Sequence, residues 1–444
     1  MEITPIVIFN MAILVFFMIA FFYQFVYIFV VLRYREVPVV PARTLHSYAF
    51  VICAHNEGEV IGELVRSILA QDYPADLMDV FVFCDGCTDN TAQEARDAGA
   101  IVWERPEGGQ KGKSWVMDFG LRRILDQYPD RYEAFVVFDA DNVVSRDYIR
   151  EMNNVFDGGR YAAITSYRNS KNFDSSWISR GYGTWFMREA KYLNNARMIL
   201  GTSCAISGTG YLLNADIVKK MDGWDFHLLT EDIQFSTFCA VNGYRIGYAH
   251  HAVFYDEQPV TFAASWKQRM RWTKGFYQVF AKYGHALMHT WRHGAPKAGA
   301  AEVGEARPAS RRFGSFAAYD LLMTIAPAMI LTLVSASVNG LYLVVGLFFP
   351  SIVSNAEVGL CLGSFCMTFL SFYVTFFLLA VLTTVSERKN IRVTSKWHLV
   401  TNLFTFPVFM LSYVPIALVA AVKKVDWVPT RHTISKSLDD ITTE

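Results

Sequence analysis

Three groups of side chains have the types and spacing that group transfer requires. Asp139-Ala140-Asp141 sets two carboxylates one residue apart, and on a turn such a pair holds a hard divalent cation beside a diphosphate. Thr230-Glu231-Asp232 offers a carboxylate as general base, which a hydroxyl nucleophile needs at neutral pH. The same acids also suit a helix N-terminus, whose positive end favours them. Gln268-Arg269-Met270-Arg271-Trp272 joins a guanidinium that can neutralise a departing diphosphate to an indole that can stack on a sugar face. With Trp266, Phe276 and Tyr277 this stretch also reads as an amphipathic helix at a membrane surface, where Arg and Trp are favoured anyway.

Smaller signals surround these. Polar pairs follow two further apolar runs: Asn56 with Glu57, and Asp85 with Asp89. Each pair alone suits a solvated turn; three sets at three strand ends argue for a site. Lys113 closes a Gly/Lys loop, Gly108 to Lys113, that lacks the full phosphate-loop pattern yet can offer one phosphate contact. Gly208-Thr209-Gly210 suits a tight turn that lets backbone approach a ligand. Cys84-Asp-Gly-Cys87 is half a zinc site without a second half, and His250-His251 read as flanking a strand rather than binding metal.

The elements that must position these residues form an alternating pattern from His46 to about Tyr255. Runs 48–54, 80–84, 101–103, 134–138 and 161–165 read as buried strands. Helical spacing fills 58–70, 91–98, 113–128 and 233–241, with Asn56 placed to cap the first helix. Strand–helix alternation of this kind predicts a mostly parallel α/β sheet covered on both faces, with ligands at the carboxyl ends of its strands.

Outside that region the chain changes character. Of its 444 residues 52% are hydrophobic and 18% charged, which fits a soluble domain joined to membrane spans. The formal net charge is zero, so no global field attracts nucleic acid. The seven cysteines form no dense framework and most fall in the stretch read as cytoplasmic. Four apolar runs, roughly 6–31, 319–350, 360–385 and 399–422, can each cross about 30 Å of hydrocarbon. Arg33, Arg35 and Arg43 after the first run put the α/β region in the cytoplasm by the positive-inside rule. Three later spans then put the tail outside, whereas Lys423, Lys424, Arg431, His432 and Lys436 favour the inside. Asn339-Gly340 is the candidate break that would change the count. The organisation expected is 1–44 helix and basic flank, 45–258 α/β domain, 259–318 interfacial helices and loop, 319–425 about three spans, and 426–444 tail.

Taken in order, Asp85, Asp139-Ala-Asp141, Thr230-Glu-Asp232 and Gln268-Arg-Met-Arg271-Trp272 resemble the family 2 glycosyltransferases, the group holding cellulose, hyaluronan, chitin-oligomer and poly-N-acetylglucosamine synthases. The resemblance covers roughly residues 46 to 280 and implies a GT-A fold, Rossmann-like, inserted between transmembrane helices. It implies that Glu57 and Asp85 contact the uracil and ribose of the donor nucleotide, to which the Gly/Lys loop reading adds Lys113, and that Asp139, also counted with the donor, holds Mg²⁺ or Mn²⁺ on the diphosphate together with Asp141. Asp232 would be the base. Gln268, Arg271, Trp272, Thr230 and Glu231 would serve the diphosphate and acceptor, with Gly208 and Thr209 on the acceptor side. The short tail motif from Trp427 to His432 is similar to tails in this group.

That resemblance implies an inverting transfer from a UDP-sugar, UDP-glucose or UDP-N-acetylglucosamine, giving a β-linkage. The leading expectation is a growing polysaccharide as acceptor, made and exported at a bacterial inner or plasma membrane. Few spans are available for that, so a homo-oligomer or an accessory export partner would complete the path. The alternative is a single sugar added to a membrane lipid. A non-enzymatic regulator would have lost an acidic motif, and none is lost. The first strand–helix turn, Ala54 to Gly58, lacks the glycine fingerprint of a dinucleotide oxidoreductase.

Overall fold

The computed structural model describes residues 4–106, 109–159, 161–296, 311–426 and 432–443. Gly108, Arg307, most of the loop 294–315 and residues 427–431 of the tail motif lie outside the described residues.

The chain begins with an apolar helix, α1 (Pro5–Tyr34), and then enters the α/β domain. Its elements are β1 (Tyr48–Ala54), α2 (Ile61–Leu69), β2 (Met78–Asp85), α3 (Thr91–Asp97), β3 (Ile101–Arg105), α4 (Lys113–Gln127) and β4 (Ala134–Asp139). There follow β5 (Val143–Val144), α5 (Tyr148–Gly158), β6 (Ala163–Ser170), α6 (Trp177–Arg188) and, after a π-helical turn over Glu189–Asn194, α7 (Asn195–Leu200). The domain ends with β7 (Tyr211–Asn214), α8 (Ala215–Lys220), α9 (Glu231–Asn242) and β8 (Ile246–Asp256).

The eight strands form one sheet in the order β3-β2-β1-β4-β7-β6-β8-β5. Strands β3, β2, β1 and β4 run parallel, β7 is antiparallel to both its neighbours, and β6 pairs β8 in parallel. The mostly parallel sheet expected from the alternation is present. Along β1, Ala49 and Val51 enter one apolar cluster with Phe81, Phe83 and Leu121, while Phe50 and Ile52 enter another with Leu64, Val82 and Val136. Both faces are buried, which is why these strands are continuous apolar runs. Because β2, β1 and β4 are parallel neighbours, Glu57, Asp85 and Asp139 emerge on the same edge.

Two local expectations change. Asn56 does not cap α2: the backbone is left-handed there (φ 56°), and the turn from Glu57 to Val60 separates it from the helix. Its side chain instead accepts from the Thr88 amide at 2.8 Å. His250 and His251 lie inside β8, in a bulge where the register with β6 shifts from Ser166↔Ala249 to Tyr167↔Val253. Both imidazoles reach Glu36, at 3.3 and 3.4 Å. Short strands β5 and β7 carry too few residues to show a period.

A long amphipathic helix, α10 (Phe262–His293), leaves the domain. It is followed by α11 (Arg311–Ile325), α12 (Pro327–Phe348), α13 (Asn355–Ser386), α14 (Lys396–Leu411), α15 (Tyr413–Val422) and a short α16 (Leu438–Thr443). Among the described residues four helical stretches are long and apolar enough to cross a membrane: Pro5–Tyr34, Gly314–Phe348, Asn355–Ser386 and Lys396–Val422. The second bends at Ala326, before Pro327, and not at Asn339-Gly340. Asn339 is instead buried and exchanges amide hydrogen bonds with Asn10 of α1.

The fourth stretch bends at Ser412, and each of its arms bonds to residues outside the other candidate spans. At its start Thr394 and His398 bond Asp174, and Asn402 bonds Thr184 at 2.8 Å. Past the bend, α15 packs on α10, with Tyr277 donating to the Ala417 carbonyl and Lys274 to that of Ala420. The tail beyond it returns to the domain, where His432 meets Glu57.

Candidate active site

The strand-end acids are held differently from one another. Asp85 ends β2, and its Oδ1 accepts from Arg105 Nε at 2.8 Å. Asp89 does not face the others; it closes the turn by accepting from the amides of Thr91 and Gly58. Asp139 ends β4, and Lys113 Nζ donates to its Oδ1 at 2.5 Å. Asp141, 2% exposed, accepts from Asn142 Nδ2 and from the Glu257 amide. Its backbone carbonyl accepts from the buried Lys171 ammonium at 2.8 Å, and burial holds that ammonium below its usual range.

Glu57 is buried beneath the tail. His432 Nδ1 stands 3.0 and 3.1 Å from its two oxygens. Burial pushes the Glu57 carboxyl up to about 7, against the hydrogen bond from His432. Burial opposes charge on His432 too, but Asp141 and Glu57 outweigh it and raise the imidazole to about 10.

The glycine turn supports these acids from behind. Gly208 and Gly210 both have positive φ (80° and 63°), and a Cβ at Gly210 would stand 2.2 Å from Phe254. Between them Thr209 Oγ1 accepts from the Asp139 amide at 2.9 Å and donates to Asn142 Oδ1 at 2.5 Å. Thr209 is buried by this and does not line the cavity, so the acceptor-side placement expected for it changes; its hydroxyl fixes the Asp139-to-Asn142 turn. Gly208 does face the cavity. Its carbonyl accepts from Lys113 Nζ at 2.5 Å, and a Cβ there would lie 3.6 Å from Asp232 Oδ2.

Glu231 and Asp232 open α9, in the first turn where negative charge is favoured. Both are enclosed. Burial, then the neighbouring Glu231, pushes Asp232 up to about 7, and burial raises Glu231 as well. Thr230 is buried with its hydroxyl unpartnered. Across from it, α10 carries Gln268, Arg271 and Trp272 on one face, as the i, i+3, i+4 spacing requires, and all three line the cavity. Gln268 Oε1 and Arg271 Nε are buried without partners. Arg269 points the other way, to Phe409 O and Ser412 Oγ, each at 2.8 Å.

One cavity of about 1100 Å³ joins these groups. Glu57, Asp85, Lys113, Asp139 and Asp141 line it, together with Thr230 to Asp232 and Gln268, Arg271 and Trp272. Its lining also includes Phe17, Phe21, Phe372, Phe376, Leu379 and Met410 of the long apolar helices.

Several groups at this site escaped the sequence reading. Arg168 binds Asp256 through Nε at 2.8 Å and through Nη2, lies 3.8 Å from the Phe186 ring, and lines the cavity. Burial raises Asp256 to about 6 despite that partner. Asp256 ends β8, so the apolar-strand-then-acid signal that marked Asp85 and Asp139 could have found it. His227, stacked on Trp115 at 3.4 Å, carries no such signal.

The donor set suits a hard cation. Mg²⁺ and Mn²⁺ accept one or two protein carboxylates and complete their shells with phosphate oxygens and water. Asp139 and Asp141 on one strand-end turn offer that much, and among the described residues no group of three or more His, Cys, Asp or Glu forms an all-protein cage.

Residues 46–275 match the family described as glycosyltransferase like family 2. The beta-monoglucosyldiacylglycerol synthase of Synechocystis sp. is 26% identical over 238 residues, 52% of this chain and 48% of its own length. The poly-beta-1,6-N-acetyl-D-glucosamine synthase of Staphylococcus aureus is 25% identical over 252 residues, 56% of this chain and 59% of its own. The matches thus span about half the length of these curated relatives. Among solved structures, the mannosyltransferase PcManGT from Pyrobaculum calidifontis, in complex with GDP-Man and Mn²⁺, is 18% identical with a TM-score of 0.49, over 82% of this chain and 98% of that one.

Proposed function

Since this chain belongs to glycosyltransferase family 2 and has its GT-A sheet, we propose that it moves a hexosyl or N-acetylhexosaminyl unit from a UDP-sugar to a lipid acceptor presented from the membrane. The continuous cavity carries this reading. Its lining combines the strand-end carboxylates with phenylalanines of helices long and apolar enough to cross a membrane. A polysaccharide hydroxyl pressed against such walls would lose hydrogen bonds to water, whereas an acyl chain loses nothing there. The lipid-modifying synthase among the relatives agrees.

The proposed mechanism is a single inverting displacement. In it Glu57 and Asp85 bind the nucleoside end and Lys113, beside Asp139, meets diphosphate charge; their shared place in the cavity lining supports this. A divalent ion on Asp139 and Asp141 would supply Lewis-acid neutralisation of the diphosphate. Arg271, whose Nε lacks a protein partner, and Gln268 hold the leaving phosphate as the glycosidic bond breaks. Asp232 accepts the proton of the attacking acceptor hydroxyl, and its position beside Gly208 sets where that hydroxyl stands. Trp272 covers the acceptor end.

A second reading, transfer to a growing polysaccharide, draws on Trp115, Trp185 and Trp272 in the same cavity, since flat rings suit sugar faces. Membranes carrying the protein, given Mn²⁺ or Mg²⁺ and labelled UDP-glucose or UDP-N-acetylglucosamine, separate the two. Label in the organic-soluble fraction, absent with Asp232→Asn, is expected. Label in high-molecular-weight material favours the polymer, and no label with any donor overturns both.

A further inference from the structure

Between the strand-end acids and the apolar helices the cavity wall turns polar, and the mechanism above uses none of that wall. It is built where α6 passes into the π-helical turn Glu189–Asn194 before α7 resumes. An extra residue in a helical turn re-aims the side chains around it, and such turns recur at functional sites. Here Trp185, Arg188 and Glu189 line the cavity with Gln24 of α1.

Arg188 is 5% exposed, yet it is only partly satisfied. Nη2 donates to Gln24 Oε1 at 2.5 Å and the guanidinium lies 4.8 Å from the Trp185 ring, but Nε has no partner. The Glu189 carboxylate receives no hydrogen bond among the described residues, and burial holds it above its usual range. A buried, unpartnered atom such as Arg188 Nε is costly unless something pairs it, whereas the half-buried Glu189 carboxylate stays open to the cavity. The nearby cations Arg168 and Arg197 are already matched, by Asp256 and Asp320. Arg188 and Glu189 therefore remain as one opposite pair, and a ligand that satisfies both should itself be uncharged. A hydroxyl donates to Glu189, and a hydroxyl or ether oxygen accepts from Arg188 Nε.

We propose that Gln24, Arg188 and Glu189 form the headgroup subsite for the acceptor, and that they select a neutral, hydroxyl-bearing lipid over a phospholipid. The acyl part then runs along Phe17, Phe21, Phe372 and Phe376. A phosphate would add a negative charge beside Glu189, whose own charge the single adjacent Arg188 already balances. This assignment rests on the lipid reading above.

The test uses the full-length protein in vesicles of dioleoylphosphatidylcholine with Mn²⁺ and the donor that wild type accepts. Dioleoylglycerol, its glucosylated form and dioleoylphosphatidylglycerol are compared as acceptors, with UDP affinity measured in parallel. Arg188→Met and Glu189→Gln should each raise the apparent KM for the preferred neutral lipid by about tenfold while UDP affinity stays within about twofold. An unmoved acceptor KM, a parallel loss of UDP binding, or better transfer to the phosphatidylglycerol overturns the subsite. If wild type labels no lipid, the lipid reading falls and the subsite with it; if it labels lipid and the variants match it, only the subsite falls.

Discussion

Arg269 and Arg271 stand two residues apart on α10 and serve opposite sides of it. Arg269 is fully buried, clamps the bend at Ser412 and lies 4.3 Å from the Phe409 ring. Arg271 faces the cavity with an unpartnered Nε. Substitution should separate structure from chemistry. Arg269→Met is expected to lower the melting temperature, because the Phe409 carbonyl and the Ser412 hydroxyl lose a donor whose absence costs ~1–3 kcal/mol of stability. Arg271→Met should leave melting nearly unchanged and slow transfer by about 10²–10³-fold. Equal melting losses in the two variants would refute this division.

The pH dependence should follow Asp232. A base must be ionised to act, and burial beside Glu231 raises this carboxyl to about 7. Transfer measured as kcat/KM should therefore fall as pH drops through about 7 and level off above it. A profile flat from pH 5.5 to 8.5 would remove Asp232 as the base.

Thr209→Val tests the turn behind the acids. The valine keeps the shape but loses both hydrogen bonds, to the Asp139 amide and to Asn142. A stability loss of ~1–3 kcal/mol in thermal unfolding is expected, with weaker metal-dependent UDP binding because Asp139 and Asp141 are no longer fixed. Unchanged values for both would show the hydroxyl to be incidental.

Asp139→Ala should weaken UDP binding at least tenfold in the presence of Mn²⁺ and change it little in its absence. Calorimetric titration with and without EDTA measures both arms. Equal affinities for variant and wild type with Mn²⁺ would move the cation elsewhere.

The sheet was legible because both-face burial writes long apolar strands, and Asp85 and Asp139 were legible because each ends one. Gln268, Arg271 and Trp272 were legible through their spacing. Thr209 was misplaced because a buried hydroxyl looks the same in sequence as one at a ligand. Arg188 and Glu189 were invisible because a π-helical turn, which sets their direction, has no residue signature. His432 could not be assigned to Glu57 because nothing local relates positions so far apart.

The conflict over the tail also has a structural answer that can be tested. The first arm of the kinked Lys396–Val422 stretch bonds Asp174 of the domain and the second bonds α10, so the expectation to be tested is three full crossings rather than four. A single cysteine at Ser437, in a background without other cysteines, should react with an impermeant maleimide from the same side as a cysteine at Asp130. Reaction from the opposite face alone would restore a fourth crossing.

The contact between Glu57 and His432 also orders the protein's own biogenesis. Residues 46–275 leave the ribosome well before the last apolar helices, so the sheet can form while one wall of the cavity beside Glu57 is still missing. That wall arrives only after every later helix has been made and laid in place. A chain stalled or misinserted partway holds its acids in an open pocket, and such a chain should turn over little donor until assembly is complete.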